Sequence, residues 1–233
     1  METQEAQKER IIGLFSRIAE GYDRANDRIS FGMHRLWKRR LCRHLEKAVP
    51  PQADILDLCC GTGDVALMVA DSCPGMRVVG ADFTTEMLNI ARRRGDGREN
   101  LRFVREDAMA LSFPDEAFSA VTVAFGLRNT PDVGQALSEI HRVLKSSGSV
   151  LILESSTPEN PLIRFGFHIF FSRIMPVLGG LREHREEYRW LNDSTWSFPS
   201  KERLTELIRR AGFRDVSVQS LLFGCAAIHT GTK

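Results

Sequence analysis

Residues 55–64, ILDLCCGTGD, combine a buried-strand pattern with an immediate glycine turn and the start of a helix. Gly61 and Gly63 allow backbone N–H groups to approach a ligand at the helix N-terminus. The dinucleotide fingerprint G-x-G-x-x-G is absent, because Cys59 and Val65 stand near the positions of its outer glycines. The stretch therefore favours a Rossmann-like α/β fold and argues against a nicotinamide cofactor.

Short apolar runs alternate with helical patterns on both sides of this turn. The spacing predicts five strands at 54–59, 76–81, 101–105, 117–125 and 149–153, with helices at 64–72, 85–94 and 133–144 between them. After a helix at 200–211, two apolar runs at 216–222 and 226–230 are separated only by a short turn, which requires an antiparallel hairpin. We predict an α/β fold in which five parallel strands and a C-terminal antiparallel hairpin form a Rossmann-like methyltransferase sheet.

Two segments lie outside this core. Residues 1–50 are predicted to form an N-terminal helical cap, and residues 51–233 the core domain. Residues 155–199 form a helical insertion far longer than a usual connection of about 2–6 residues. We expect the cap and the insertion, as a lid, to cover the carboxyl ends of the strands, where open α/β sheets bind ligands.

The composition excludes several classes of protein. The chain has 233 residues with a net charge of +2, so nothing indicates a nucleic-acid partner. Its five cysteines are an odd number and its histidines are scattered, which favours a reduced, cytoplasmic protein without a bound metal. The N-terminus is charged, and the longest apolar stretch, 165–181, is interrupted by Arg173, so neither a secretory signal nor a membrane span is predicted.

Two acidic markers follow the second and third strands. Asp82 ends strand two, where a carboxylate can accept both hydroxyls of a ribose. Glu106, Asp107 and Ala108 follow strand three, where an aspartate and a peptide N–H can bind an adenine edge. Each marker alone is weak, but with the glycine turn they predict S-adenosylmethionine (SAM) as the methyl-donating cofactor.

The chain resembles the quinone C-methyltransferases, which methylate demethylmenaquinol and, in some members, a ubiquinone precursor. The resemblance runs from Phe15 to the C-terminus. It is carried by FSRIAEGYDRAND at 15–27, by S-x-G-x-H-R-x-W-K at 30–38, by FGLRN at 125–129 and by the G-x-x-A-x-H-x-G-x-K tail at 224–233. The resemblance implies C-methylation of a prenylated quinol, most simply demethylmenaquinol.

The resemblance also assigns a cofactor site. Thr62, Asp82, Asp107 and Ala108 would bind SAM, together with the glycine turn. Ala124 stands where the family often has serine, so one cofactor hydrogen bond is absent or is made by a backbone group. Cys59 and Cys60 replace small residues of the turn and are interpreted as packing residues, because adjacent cysteines in a tight turn rarely bridge.

The proposed chemistry requires an ionised quinol. Arg128 is the first candidate to stabilise the developing phenolate, and the alternative is a structural salt bridge. Asn129 would orient the same oxygen. Tyr22 would relay a proton, and its alternative is a core aromatic side chain. His34 and His229 are interpreted as structural.

Partner predictions concern the substrate tail and the membrane. The apolar residues of 165–178 are either lid core or a groove for a prenyl tail. Residues 34–47 carry six Lys or Arg against one glutamate, which predicts either a peripheral contact with the inner face of the membrane or a basic solvated helix. The oligomeric state is left open, with a homodimer as one alternative.

Four other interpretations share part of this evidence. They are methylation of a benzoquinol in place of a naphthoquinol, a methyltransferase for another small phenol or amine, a SAM-binding subunit without catalysis, and a nucleic-acid methyltransferase. The last would need a strongly basic face, and a metal-dependent catechol enzyme would need a carboxylate cluster that the sequence does not reveal.

Overall fold

The computed structural model describes residues 3–170 and 193–233, which form a seven-stranded sheet with helices on both faces. The α-helices with both ends in these ranges are α1 (Gln4–Ile18), α2 (Tyr22–Ser30), α3 (Met33–Ala48), α4 (Asp64–Ser72), α5 (Thr85–Gly95), α6 (Val133–Val143), α7 (Pro161–Ile169) and α8 (Lys201–Arg210), and residues 193–197 are helical as well. The strands are β1 (Asp54–Leu58), β2 (Arg77–Asp82), β3 (Leu101–Arg105), β4 (Phe118–Ala124), β5 (Leu144–Ser155), β6 (Arg214–Leu221) and β7 (Ala226–Thr232).

The strand order is β3-β2-β1-β4-β5-β7-β6. Strands β1 to β5 pair in parallel, whereas β7 is antiparallel to both of its neighbours, β5 and β6. The predicted five parallel strands and C-terminal hairpin are confirmed. Because β7 is inserted between β5 and β6, β6 at the sheet edge runs in the same direction as the first five strands.

Alternation along the strands explains the two hydrophobic layers. Ile55 faces the layer that contains α3 and α4, while its neighbour Leu56 faces the layer that contains α6 and α8. Leu151 and Ile152 alternate in the same way on β5. All four side chains are fully buried, as expected for a parallel sheet covered on both faces.

The predicted junction between the helix and the fifth strand is wrong. The pattern predicts a helix through 144 and a strand from 149, but α6 ends at Val143 and β5 begins at Leu144, whose backbone is extended. Leu144 is fully buried and pairs with Phe118, so its burial satisfies the helical periodicity although it belongs to the strand. A periodic pattern detects buried positions, and Leu144 would be buried whether it ended the helix or began the strand.

The predicted 155–199 insertion is described only in part. Its first section contains α7, whose first turn is capped by Asn160. Residues 171–192 lie outside the described residues. They include the apolar residues Phe171, Ile174, Met175, Val177 and Leu178 of the predicted tail groove, and the charged run from Arg182 to Arg189. In the part of the chain that is described, no helix is long and apolar enough to cross a membrane.

Gly63 fits the glycine turn tightly against the sheet. It caps α4 with φ of +86°, and a Cβ added there would lie 2.8 Å from the Phe103 ring and 3.2 Å from Ala91. Its N–H donates to the carbonyl of Cys60, and its carbonyl accepts from Leu67. A side chain is therefore excluded both by the backbone conformation and by the close approach of β3 and α5.

Gly63→Ala is expected to destabilise the fold by roughly 2–4 kcal/mol, because left-handed strain adds to overpacking. Gly97→Ala is the matched control, since Gly97 has φ of +79° but nothing within 4 Å of an added Cβ. Its cost should be about 1 kcal/mol, from backbone strain alone. Urea unfolding of both variants measures the difference, and equal losses would show that the contact with Phe103 contributes nothing.

Candidate functional site

Two adjoining cavities open at the carboxyl edge of the central strands. The smaller, about 120 Å³, is the glycine-turn cavity, formed by the residues that follow β1, β2, β3 and β4 and by one face of α1. Helix α1 contributes Lys8, Ile11 and Phe15 to its wall. The N-terminal segment thus covers the carboxyl ends of the strands at this point.

The sequence-predicted cofactor residues converge on the glycine-turn cavity with one exception. Its walls include Gly61, Thr62, Asp82, Asp107 and Ala108. Gly63, the other glycine of the turn, does not line the cavity and packs against β3 and α5. The sites at the ends of β1, β2 and β3 are therefore brought together as the parallel topology requires.

Both acidic markers already make hydrogen bonds. The Asp82 carboxylate accepts from the backbone N–H groups of Gly61 and Thr84, each at 2.8 Å. Burial raises the pKa of Asp82, and these hydrogen bonds partly oppose that effect. The Asp107 carboxylate accepts from the N–H of Met109 and pairs with Lys8 at 2.9 Å. The carboxylate of Asp107 thereby ties α1 to the cavity.

An ion-pair cluster joins the N-terminal helices to the glycine turn, and we call it the Asp64 network. Asp64, the first residue of α4, pairs with Lys38 of α3 at 2.8 Å and with Arg94 of α5 at 2.6 Å. Arg94 also contacts Asp23 of α2 at 3.0 Å, and the Thr62 hydroxyl donates to the same carboxylate. Cap, turn and α5 are thus held in one arrangement.

The charges of this network shift the pKa of Asp64. Burial alone would raise its pKa, but the pairs with Lys38 and Arg94 outweigh that effect and lower the pKa to about 2. Nearby Asp57 forms no ion pair within residues 3–170 and 193–233. Burial raises its pKa to about 7, although Thr122 and the N–H of Ala66 donate to its carboxylate.

The larger cavity, about 520 Å³, is the apolar cavity. It lies between the cap, the ends of β4 and β5, helix α7 and the turn that precedes β7. Just over half of its lining residues are aromatic or aliphatic. They are Tyr22, Ile29, Phe31, Met33, Trp37, Ala124, Phe125, Ile163, Phe167, Phe170 and Leu222. A bulky apolar ligand suits such a wall.

Four residues line both cavities: Tyr22, Lys38, Ala124 and Phe125. Tyr22 begins α2 and packs edge-on against Phe15, so it is partly a core aromatic residue as well. Phe125 follows β4 with a positive φ of 60°. These four residues form the shared wall. A ligand in the glycine-turn cavity can therefore contact a ligand in the apolar cavity only beside them.

Arg128 and Asn129 face different cavities. Arg128 lines the apolar cavity, and its Nη1 donates to Glu154 at 2.8 Å and to the Phe125 carbonyl at 2.7 Å. The structural salt bridge considered as the alternative is thus present. Its Nε is nevertheless buried without a hydrogen-bond partner among the described residues. Asn129 lines the glycine-turn cavity and not the apolar one.

The two histidines of interest differ in position. His34 lines the apolar cavity, and its Nδ1 lies 2.7 Å from the Ser30 hydroxyl. Burial, assisted by Lys38, lowers its pKa. His229 lies on β7 away from both cavities, where its Nε2 is 3.1 Å from the Lys201 carbonyl.

Helix α3 contains the basic segment for which the sequence leaves a peripheral membrane contact and a solvated helix as alternatives, and its apolar face is buried. Its apolar residues Leu41 and Leu45 are fully buried in the core, and Trp37 packs on Phe125. They are therefore not available to a lipid surface. The solvent face of α3 carries Leu36 and the cationic residues Arg39, Arg40, Arg43 and Lys47.

Sequence reasoning missed the roles of Lys8, Asp64 and Arg94. Asp64 stands in the quoted turn motif, so its position was visible, but its partners come from α3 and α5. Lys8 reaches Asp107 across 99 sequence positions, and no local pattern signals that pair. The thiols of Cys59 and Cys60 are free and their pKa values are raised by burial, in keeping with packing residues.

Comparisons with known proteins agree with this geometry. The ubiE/COQ5 methyltransferase family matches residues 3–233. Demethylmenaquinone methyltransferases of Staphylococcus aureus strains JH9 and Newman are each 40% identical over 235 residues, covering 100% of this chain and 97% of theirs. The matched residues include every helix, strand and cavity-lining residue described above.

Solved structures share the fold. A SAM-dependent methyltransferase from Thermotoga maritima, a possible histamine N-methyltransferase, aligns with a TM-score of 0.65 and 21% identity over 95% of this chain and 99% of that one. Phosphoethanolamine N-methyltransferase 2 from Haemonchus contortus, in complex with S-adenosyl-L-methionine, gives 0.63 and 17% over 94% of this chain and 60% of that one. At these identities the likeness concerns architecture alone.

Asp64→Asn is expected to lower the free energy of unfolding at pH 7 by about 2–4 kcal/mol, because Lys38 loses its partner in a largely buried pair. The lowered pKa of Asp64 means that its ionised form stabilises the fold above about pH 4, and that this contribution is lost as the pH falls toward 2. The difference from the unmodified protein should shrink over that range in urea unfolding.

Asp71→Asn is the matched control, because Asp71 also forms an ion pair with an arginine, Arg98, but its side chain is 57% exposed. Screening by solvent should limit its loss to less than about 1 kcal/mol. Equal losses for the two variants, or no convergence at low pH, would contradict a structural role for the Asp64 network.

Proposed function

Because the chain belongs to the ubiE/COQ5 methyltransferase family, we propose that it transfers the methyl group of SAM to a ring carbon of demethylmenaquinol, a prenylated naphthoquinol. The observation that carries this proposal is the shared wall between the glycine-turn cavity and the large apolar cavity. A polar cofactor and an apolar ring can meet there. A small soluble phenol or amine would leave most of the apolar lining unused.

The residues of the glycine-turn cavity fit SAM. Gly61 leaves open space for a ligand, and the Asp82 carboxylate beside it is suited to accept from ribose hydroxyls. Asp107 and the N–H of Ala108 are suited to an adenine edge. When bound, SAM supplies an electrophilic methyl group on a positively charged sulfur. The Thr62 hydroxyl is already committed to Asp23, so we assign Thr62 to holding the cap on the turn.

The chain's own residues must activate the quinol. The Nη1 of Arg128 donates to Glu154, which neutralises most of the charge of the guanidinium, and we assign the side chain, which lines the apolar cavity, to a ring oxygen. Tyr22, in the shared wall, is suited to pass the hydroxyl proton toward solvent. The ring carbon then takes the methyl group and its hydrogen leaves as a proton, while the ring oxygen regains a proton as the ring becomes aromatic again, so that one proton is released in total. Asn129 is assigned to the cofactor side of this wall.

Water exclusion supports the same chemistry. The apolar cavity is enclosed by Phe125, Phe167 and Phe170 among other rings, and an anionic ring oxygen attacks a cationic donor more readily where water is absent. Positioning of the ring against the shared wall contributes further. Methylation of a benzoquinol precursor is the second candidate, because the same wall accepts a smaller ring.

The test is a turnover assay with labelled SAM and chemically reduced naphthoquinol and benzoquinol substrates, with the product mass recorded. Arg128→Lys keeps a cation for Glu154 but removes the Nε–H. We expect it to lower kcat for the quinol about 100-fold while the Kd for SAM is unchanged. Equal losses in both quantities would assign Arg128 to folding, and no turnover of either quinol by the unmodified protein would contradict the proposed function.

We further propose that the mouth of the apolar cavity contacts a lipid surface. Helix α7 is apolar on two faces: Ile163 and Phe167 line the cavity, whereas Leu162 and Phe165 are 79% and 63% exposed. Phe223, in the turn before β7, is 76% exposed. Two other residues, Phe31 and Leu222, are exposed and line the cavity as well.

This exposed apolar rim is continuous with the cavity that would receive the prenylated ring. A long isoprenoid tail partitions into a bilayer, so a protein that leaves its cavity mouth on the lipid surface need not extract the tail into water. The cationic solvent face of α3, which begins two residues after Phe31, would add attraction to anionic lipid.

The double variant Phe165→Ser/Phe223→Ser is expected to reduce co-sedimentation with vesicles of phosphatidylcholine and phosphatidylglycerol at least several-fold, at both low and high salt. Val218→Ser is the control, because Val218 is 45% exposed on edge strand β6 but does not line the cavity. Binding that is lost equally in both variants, or absent from the unmodified protein at low salt, would refute the lipid contact.

A further inference from the structure

Lys8 of α1 places its ammonium against two residues in the wall of the glycine-turn cavity. Its Nζ lies 2.9 Å from Oδ2 of Asp107 and 4.6 Å from the centre of the Phe83 ring, over the ring face. All three residues line the cavity. Phe83 is the first residue after β2 and Asp107 the second after β3, so the two distances fix the ammonium at the carboxyl ends of these strands.

The ammonium of Lys8 has a second carboxylate within reach. Glu5, one turn earlier on the same helix, lies 3.8 Å from the same Nζ, and its side chain is 73% exposed. The side chains of Lys8 and Asp107 are only 22% and 24% exposed, so solvent screens their pair less than a surface pair. An ammonium that leaves Asp107 can therefore remain paired, at a position nearer to solvent.

The two halves of α1 are attached differently to the core. The C-terminal half buries Leu14 and Ile18 in a cluster with Met87 of α5. In the N-terminal half, none of residues 5–11 is buried. A segment with few buried contacts opens at a low cost in free energy. The half that carries Lys8 can therefore move away from the cavity while the other half stays packed.

The adenine of the cofactor would need the place that the Lys8 ammonium holds. Oδ1 of Asp107 already accepts from the N–H of Met109 at 2.9 Å, so an adenine amino group would donate most readily to Oδ2. A base that donates to Oδ2 and stacks on the Phe83 ring would overlap the ammonium, which contacts both groups. The ammonium and the base therefore exclude each other from this part of the cavity.

We propose that Lys8 is a latch: its ammonium competes with the adenine of the cofactor for Asp107 and Phe83, and the N-terminal half of α1 opens each time a cofactor enters the cavity. This inference rests on the proposed function, which places SAM there. The pair with Lys8 keeps a partly buried carboxylate from standing without a partner between cofactors. The apparent Kd of the cofactor is its intrinsic Kd divided by the fraction of protein with the latch open, so the latch weakens binding.

Lys8→Met and Arg10→Met form a matched pair for the test. Methionine keeps the apolar stem of Lys8 and removes the ammonium. Arg10 is an exposed cation of the same helix that does not line the cavity. In calorimetric titrations of the full-length protein, we expect K8M to bind both SAM and S-adenosylhomocysteine about 3- to 10-fold more tightly, which is the scale of one partly shielded ion pair. R10M should leave both Kd values unchanged.

Salt provides a second measurement. S-adenosylhomocysteine has the adenine but no sulfonium, and its ammonium and carboxylate balance, so its own binding should respond weakly to salt. The pair of Lys8 with Asp107 is screened as salt rises. Raising NaCl from about 50 mM to about 500 mM should tighten its binding to the unmodified protein and to R10M roughly 2-fold, and should leave the Kd of K8M unchanged. In stopped-flow experiments the gain of K8M should lie mainly in the association rate.

Each outcome decides the inference. Tighter binding of both ligands by K8M, together with loss of the salt response, supports the latch. Unchanged or weaker binding by K8M overturns it, because Lys8 would then be indifferent to the cofactor or would hold it in place. Tighter binding of SAM alone also overturns it, because that result would indicate repulsion of the sulfonium. An unmodified protein that binds neither ligand would contradict the proposed function and this inference together.

Discussion

The pairing of Asp64 with Lys38 and Arg94 is the interaction on which both cavities depend. Asp64 is the first residue after the glycine turn, and Lys38 lies in the wall that the two cavities share. The pair therefore fixes α3 against the turn and sets the opening between the cofactor side and the apolar side. Asp23 and Thr62 extend the same connection to α2, which carries Tyr22. Together with the pair between Lys8 and Asp107, it anchors the cap at the strand ends.

Most of the sheet could be predicted because its information is local. Strands such as 54–58 and 101–105 are short apolar runs bounded by turns, and their period identifies them without knowledge of the rest of the chain. The insertion of β7 between β5 and β6 was not predicted, because strand order depends on contacts distant in sequence. The same distinction applies to the site. The positions of Asp82 and Asp107 in the site could be predicted, because both lie at strand ends. The ion pair of Lys8 with Asp107 could not, because it depends on how the cap packs.

Arg128 shows why residue type and motif do not determine a role. The functional hypothesis and the structural alternative do not exclude each other, because a guanidinium can pair with a carboxylate and still line a cavity. The Nη1 of Arg128 is bound to Glu154, 26 positions away, while the same side chain lines the apolar cavity. No sequence pattern reveals that a carboxylate on the neighbouring strand neutralises the charge. The neutralisation changes the chemistry, because a paired arginine acts mainly through directed hydrogen bonds and less through a long-range field.

Helices α3 and α7 show the corresponding limit for amphipathic patterns. An apolar face predicts burial against something, and the pattern does not say against what. In α3 the apolar face packs on the sheet, so its basic face meets solvent. In α7 one apolar face lines the cavity while Leu162 and Phe165 remain exposed, because the helix lies at the mouth and not over the core. Exposed apolar side chains that continue directly into an apolar cavity give a hydrophobic ligand an uninterrupted path. The proposed lipid contact would let a lipid-bound substrate use that path without crossing water.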